Sequence, residues 1–475
     1  MIIANLKGKE AFKAAYFFAF FFNIFSIYWL AIVTPPGMVA AVFIVSLYYA
    51  IILYSFNRIY HYRKIFGLVL LPFLWVGLEY FRTLSEFAFP WSDLGYTQSY
   101  YLYIVQLASV TSVHGISFVI VLVNLFIWQV MRKDLLPERR LTAGYISVGL
   151  VIAMLAYGWI VLPKYPLPGK EIEVAILQGS ISIEDKWKKD NALFSFKRYD
   201  SLAQSVNDSS TILYVWPETS APAYVSHDAV AKVRLGKIAQ KTNSYHLIGG
   251  LGAGIQDGKQ RYYNSCYQFN PKGMLEKQVN KAKLVPFSEH VPYQDYLFFL
   301  ERAQLRKFIS AIDTYEIQWW SDFYPGKGVQ LFHTPDYDYV TLICFESTFP
   351  EFSREAINEG AAFIVGITND TWFGRSVGIH QHSRIFIMRA VENRSWGVRC
   401  ANSGLSYLVD GYGRIRDELD LYKPEALRAK INRVDDRSIY TKYGDIIGKM
   451  SFLITLSIIG ILLIQWIIRK LFFRS

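Results

Sequence analysis

Six stretches of the chain lack the alternation of apolar and polar positions that marks a soluble helix or strand. Residues 14–33, AAYFFAFFFNIFSIYWLAIV, carry no charge. The stretches 37–56, 110–131, 142–163 and 450–468 carry none of Asp, Glu, Lys or Arg, and 65–81 carries only Glu79. Each approaches the ~20 residues a helix needs to cross hydrocarbon, where every backbone group must be satisfied within the segment. The pattern predicts six spans, five before residue 164 and one after 449. The first follows Lys7, Lys9 and Lys13 and shows no small-residue cleavage site, so it is expected to be an uncleaved span.

From residue 171 the pattern changes to short apolar runs separated by turn residues. Strands are expected at 171–179, 212–218, 244–252, 262–270, 338–346, 361–370 and 406–413. Helical spacing is found at 190–206, 227–242, 349–359 and 380–396. Continuous apolar strands alternating with helices imply an α/β unit with a buried sheet. The expected organisation is a transmembrane domain over 1–163, an extramembrane α/β domain over 164–446, and a C-terminal transmembrane helix with a tail over 447–475.

Composition agrees with a membrane protein. Apolar residues make up 52 % of the 475 and charged residues only 19 %, against ~25 % charged in ordinary soluble chains. The formal charge of +11 invites a nucleic-acid reading until its distribution is considered. Lys7, Lys9, Lys13, Arg58, Arg63, Lys64, Arg132, Lys133, Arg139, Arg140, Arg469, Lys470 and Arg474 sit at alternate ends of the spans. The short opposite loops, 34–36 and 82–102, contain only Arg82. The positive-inside rule then places both termini in the cytoplasm and residues 164–449 on the far side, with Lys164, Lys170, Lys442 and Lys449 running against the trend. Nucleic-acid binding loses its main support. Two ionisable residues fall within apolar spans. Glu79 is expected to pair with Arg82 three residues later, and His114 to be a satisfied bundle histidine.

Three predicted strand ends carry chemistry. VWPETSAP (215–222) turns at Pro217 and Glu218; KAKLVPFSEHVP (281–292) brings Lys281 and Glu289; TLICFES (341–347) closes an apolar run on Cys344 with Glu346 two residues on. Ligands in open α/β folds lie beyond strand ends, so these segments can bring a carboxylate, an ammonium and a thiol together. A thiol is mostly protonated at neutral pH and needs a base. A carboxylate can shuttle that proton, and an ammonium can stabilise an acyl oxyanion. Taken singly, each residue has a structural reading: a buried small hydrophobe, a helix cap, a solvated charge. The other cysteines, Cys266 and Cys400, lack such company and read as packing residues. Among the three cysteines there is neither zinc spacing nor a disulfide framework, and no histidine shows ligand spacing; His380 and His382 read as helix-start residues.

WPE, K-x-K-L-V-P-F-x-E-x-V-P and C-F-E resemble the three signatures of the nitrilase superfamily, whose Glu–Lys–Cys triad sits on an αββα sandwich. Set between N-terminal spans and one C-terminal span, the domain resembles the apolipoprotein N-acyltransferase family over nearly the whole chain. FPWSDLGYTQS (89–99), TNDTWFG (368–374) and HQHSRIFIMRAVENR (380–394) add to the likeness. The resemblance implies a multi-pass helical membrane domain plus an α/β nitrilase-like αββα sandwich. It implies Glu218 as general base, Lys281 as oxyanion lysine, Cys344 as nucleophile, Glu289 and Glu346 as accessory acids of the pocket, and Trp372 and Phe373 as a substrate loop. It further implies acyl transfer from a glycerophospholipid, through a Cys344 thioester, to the N-terminal amine of S-diacylglyceryl-cysteine in apolipoproteins at the bacterial inner membrane, without cofactor or metal. The sequence departs from the family pattern at Lys283, Ser288, Phe345 and Cys400, and in five leading spans where seven are common. Two other readings are a membrane-tethered carbon–nitrogen hydrolase and a non-enzymatic scaffold; the latter requires Glu218, Lys281 and Cys344 to lie far apart.

Overall fold

The computed structural model describes residues 2–162, 169–186, 192–256, 258–293, 322–433 and 437–472. Lys164 and Arg474 of the charge pattern, and the first two residues of the 190–206 helix, lie outside them. The chain divides into two compact units, one from residues up to Leu162 together with those from Tyr443 onward, the other from the residues between.

Among the described residues of the first unit, six helices are long and apolar enough to cross a membrane: α1 (Gly8–Ile27), α2 (Pro35–Tyr62), α3 (Lys64–Phe81), α4 (Ala108–Met131), α5 (Pro137–Val161) and, at the far end of the chain, α10 (Ile446–Phe472). The apolar stretch 14–33 is not one helix, however. It ends at Ile27, and a single turn, Leu30–Val33, precedes α2. Thr34 caps α2 by accepting the Gly37 N–H at 3.2 Å, and Pro35 occupies the first turn, where its missing donor costs nothing. On α1, Ala11, Ala15 and Ala19 face the bundle while Phe17, Phe18, Phe21 and Phe25 face outward. This reverses the soluble pattern. It fits a lipid surround, where close packing of small residues drives helix association.

The second unit is a two-sheet sandwich. One sheet orders its strands β13–β1–β2–β4–β5–β6, with β3 added along β4: β1 (Glu171–Gln178), β2 (Leu213–Val215), β3 (Ala221–Tyr224), β4 (Tyr245–Gln256), β5 (Lys259–Phe269), β6 (Leu275–Asn280) and β13 (Glu425–Asn432). The other orders β12–β11–β10–β9–β8–β7: β7 (Leu331–His333), β8 (Asp338–Ile343), β9 (Phe363–Thr368), β10 (Gly397–Ala401), β11 (Tyr407–Val409) and β12 (Ile415–Glu418). Alternate side chains divide between two layers. Val174, Ile176, Val215 and Leu247 meet Ile343, Val365, Ile367 and Val398 between the sheets. Ala175, Leu177, Tyr214 and Ile248 face α6 (Ala192–Ser205) and α7 (Ala229–Thr242), which contribute Phe196, Tyr199, Leu235 and Ile238. Helices α8 (Pro350–Asn358) and α9 (Val377–Asn393) cover the second sheet. There Gly366 makes room for Phe386: a Cβ on Gly366 would lie 2.5 Å from its ring. The layering is αββα.

The strands expected over 338–346 and 361–370 stop early, at Ile343 and Thr368. The chain turns at both points, and both turns belong to the site. Strand β10 lies just past the helix expected over 380–396, where the sequence pattern assigns no element. It follows α9 after only three residues, and the reversal rests on Arg394, a non-glycine residue in the left-handed region (φ 53°).

Candidate active site

Three loops at strand ends build the site. The first leaves β2 through Trp216 and Pro217. Trp216 is buried, stacked on Tyr199 at 4.6 Å, and its Nε1–H donates to His246 Nδ1 at 3.0 Å. Glu218 follows, pressed against β4. Gly249 permits this approach, since a Cβ there would lie 2.7 Å from the Glu218 Cα. Glu218 Oε2 accepts the Asn369 N–H at 2.9 Å, and Oε1 accepts from Asn264 Nδ2 at 2.7 Å and Lys281 Nζ at 3.5 Å.

The second loop leaves β6. Lys281 donates its N–H to the Asn264 carbonyl and accepts the Gly326 N–H through its own carbonyl, each at 2.8 Å. Its ammonium is 1 % exposed and donates to Glu289 Oε1 at 2.8 Å. Asn264 Nδ2 reaches the same Glu289 oxygen at 3.2 Å, and Glu289 Oε2 accepts the Val285 N–H at 2.9 Å. Burial alone would lower the Lys281 ammonium, but Glu289 and Glu218 outweigh it and hold the lysine above its usual range. The ammonium therefore stays charged at neutral pH.

The third loop leaves β8. Cys344 has φ 53° and opens a 3₁₀ turn over Cys344–Thr348. A non-glycine residue in that region carries strain, and a sharp strand-to-helix turn presents a nucleophile at the sheet's end. Burial pushes the Cys344 thiol well above its ordinary value. Glu218 adds to the rise, Lys281 opposes it and Glu289 adds again, so the sulfur lies within electrostatic reach of all three. Glu346 does not join them. Its Oε2 accepts the Ile343 N–H at 2.7 Å, and its Oε1 accepts the Ala282 N–H at 2.6 Å and the Lys283 N–H at 3.3 Å. Burial raises this carboxyl to about 7 against the pull of those amides. Glu346 thus staples the cysteine turn to the lysine loop.

The membrane and sandwich parts each match a known family. Residues 1–126 match the apolipoprotein N-acyltransferase N-terminal domain, and residues 173–439 match the carbon–nitrogen hydrolase domain. A Geobacter metallireducens protein named apolipoprotein N-acyltransferase is 32 % identical over 437 residues, covering 88 % of this chain and 81 % of that protein. The chain belongs to the apolipoprotein N-acyltransferase family. A Chlorobaculum tepidum protein of the same name is 27 % identical over 99 % of this chain and 91 % of its own. A Saccharomyces cerevisiae protein, a member of branch 10 of the nitrilase superfamily, superposes with a TM-score of 0.41 at 19 % identity, covering 57 % of this chain and 93 % of its own. As a member of the apolipoprotein N-acyltransferase family the chain is an acyltransferase with a nitrilase-like fold and a membrane part.

The structure brings Glu218, Lys281, Glu289 and Cys344 together. Trp372 and Phe373 lie on a 3₁₀ turn over Asp370–Phe373, both partly exposed. Phe373 meets His382 edge-on at 5.8 Å. His382 is no mere helix-start residue. It is 1 % exposed, with Nε2 3.1 Å from the Cys344 carbonyl oxygen and Nδ1 2.9 Å from Asp370 Oδ1. Asp370 Oδ2 accepts from Arg399 Nη2 at 2.6 Å. Burial raises the Asp370 carboxyl, but Arg399 and His382 overcome this and bring it down to about 2. Sequence reasoning missed this buried chain and also Asn264, which lies inside β5 with no turn to mark it. The TNDTWFG stretch was the available signal for Asn369 and Asp370. Cys266 and Cys400 belong to the core between the sheets. The Cys400 thiol donates to the Leu177 and Val215 carbonyls at 3.4 and 3.3 Å.

Proposed function

We propose that the chain transfers an acyl group from a glycerophospholipid to the N-terminal amine of S-diacylglyceryl-cysteine in apolipoproteins, in two half-reactions that share one thioester. The carrying observation is the Lys281 ammonium held between Glu218 and Glu289, with the Cys344 thiol in the same field. A thiol kept protonated by burial becomes a nucleophile only if its proton leaves during attack. Glu218 takes that proton as Sγ adds to the ester carbonyl. The tetrahedral oxyanion forms beside Lys281, whose charge is already in place and needs no reorganisation. Collapse breaks the ester C–O bond, Glu218 returns the proton to the departing alkoxide, and a lysophospholipid leaves. The amine of the acceptor then attacks the thioester, Glu218 removes its proton, and the Cys344 thiolate departs and is reprotonated.

Glu289 fixes the lysine, and Glu346 ties the lysine loop to the cysteine turn. Trp372 and Phe373 offer apolar surface to the acyl chain. Donor and acceptor are both bilayer lipids or lipid-anchored, which accounts for a catalytic domain fused to membrane spans. The distribution of basic residues supports a bacterial inner-membrane protein with both termini cytoplasmic and the catalytic domain periplasmic. Purified protein incubated with phospholipid of defined acyl composition should gain one acyl mass on the peptide containing Cys344. The gain should be lost in Cys344→Ala and removed by a diacylglyceryl-cysteine peptide. An acyl mass found elsewhere, or none at all in protein competent for turnover, refutes the thioester.

A further inference from the structure

The membrane unit contains a second cluster of charged groups that acyl transfer leaves unused. Glu79 on α3, Asp93 in the connection that follows it and His114 on α4 are 0 %, 1 % and 1 % exposed. One ligand atom from each lies within 4.8 Å of the other two. Neighbouring groups hold each of the three side chains in place. Glu79 Oε1 accepts the Trp75 Nε1–H and the Leu94 N–H, both at 2.9 Å. Asp93 Oδ1 lies 3.5 Å from Arg82 Nη2, so Arg82 pairs with Asp93 and not with Glu79 as sequence spacing suggested. His114 Nδ1 is gripped by Asp445 Oδ2. Among the described residues, Glu79 Oε2 and His114 Nε2 are buried without a hydrogen bond. They face the same small space as Asp93 Oδ2, which is 3.8 Å from His114 Nε2. Ser117, whose hydroxyl accepts the Gly95 N–H at 2.8 Å, also borders Glu79.

Two arguments identify the missing partner. The first is the arrangement of the histidine. A metal-bound imidazole characteristically gives its far N–H to a carboxylate, which fixes the tautomer and aims the other nitrogen's lone pair. Asp445 does this to His114. The second is charge. Glu79, Asp93 and Asp445 bring three carboxylates, Arg82 one guanidinium, and a neutral imidazole none. Two negative charges remain where water is excluded, and each uncompensated buried charge costs several kcal/mol. One divalent cation cancels both. Tetrahedral ligands at zinc distances stand ~3.4 Å apart, so small side-chain rotations close the present spacing.

We propose that Glu79 Oε2, a carboxylate oxygen of Asp93 and His114 Nε2 bind a divalent transition-metal cation of the zinc or manganese kind. Nitrogen and carboxylate donors suit such ions. The site joins α3, the connection after it and α4, and through His114 it holds Asp445 at the start of α10. Its burial makes it a structural clamp. The test uses full-length protein purified in detergent without chelator, then stripped and reloaded with Zn²⁺, Mn²⁺ or Mg²⁺. Elemental analysis should find about one equivalent of zinc or manganese per chain. Stripping should lower Tm, with recovery on Zn²⁺ or Mn²⁺ and not on Mg²⁺. Glu79→Gln and His114→Gln should each lose the equivalent, whereas Cys344→Ala should keep it. Should those variants fail to fold, Co²⁺ loading of the wild type decides: visible absorption of nitrogen–oxygen coordination, unchanged in Cys344→Ala, supports the site. Wild-type protein that neither retains nor takes up an equivalent, with Tm indifferent to chelator and metal, overturns it; protons on Glu79 and His114 then balance the charge.

Discussion

Both units bury opposed charges, but in different settings. In the sandwich, Lys281 sits between Glu218 and Glu289 at the ends of strands, beside a partly exposed cysteine. In the membrane unit, Glu79, Asp93, His114 and Asp445 are sealed among helices, with Arg82 anchored to Tyr49 and to the Phe89 carbonyl. The first group sets one ammonium against two carboxylates beside a thiol. The second ties distant segments together. A buried charge next to a reactive atom can do chemistry; the same charge without one can only hold structure.

Substitutions can break this contrast, beginning with the sandwich. Cys344→Ala should abolish acyl transfer in extracts and in purified protein, with unfolding unchanged to within about 1 kcal/mol; residual turnover above background would mean another nucleophile. Lys281→Met should lower the rate of thioester formation by about 10²–10³, the usual worth of one oxyanion donor. Single-turnover acylation measured by mass spectrometry reads this directly. His382→Gln should cost roughly tenfold in kcat with KM little changed, because His382 orients the Cys344 carbonyl and not the lipid; a rise in KM alone would place it in substrate binding. Asp370 supplies a pH test. Its folded value near 2 lies below its ordinary 3.8, so its stabilisation is complete above pH ~4 and lost as pH falls from ~4 to ~2, amounting to about 2 kcal/mol. Asp370→Asn should remove that portion of the acid unfolding curve followed by near-ultraviolet circular dichroism. Cys266→Ser should change activity least, since its thiol lies in the inter-sheet core; loss of turnover in folded protein would implicate it in the chemistry.

Much of the site was legible because chemistry and chain reversal coincide. Glu218 and Cys344 each follow an apolar run, where a polar or nucleophilic residue has few reasons to exist other than a cap or a site, and Lys281 stands just before another, LVPF. Asn264 was not legible. It lies within a strand, and its importance comes from bonding two carboxylates remote in sequence, Glu218 and Glu289. His382 was hidden for the same reason: its partners come from the cysteine turn and from Asp370. The local rule failed at Arg82, because Asp93 and Tyr49 compete for its guanidinium better than a residue one turn back. The long apolar helices were legible in number, since length and apolarity decide them. The break after Ile27 was not, since Tyr28 and Trp29 are as apolar as the helix they interrupt. Edge strands such as β12, IRDE, bury too little to leave an alternating pattern.

The left-handed backbone at Cys344 has a consequence beyond catalysis. At most positions alanine is better tolerated than glycine; here the order should invert, because only glycine adopts this geometry without penalty, by about 1 kcal/mol. The polypeptide is wound slightly against itself at the Cys344 sulfur, so among substitutions there the most relaxed is the one with no side chain at all.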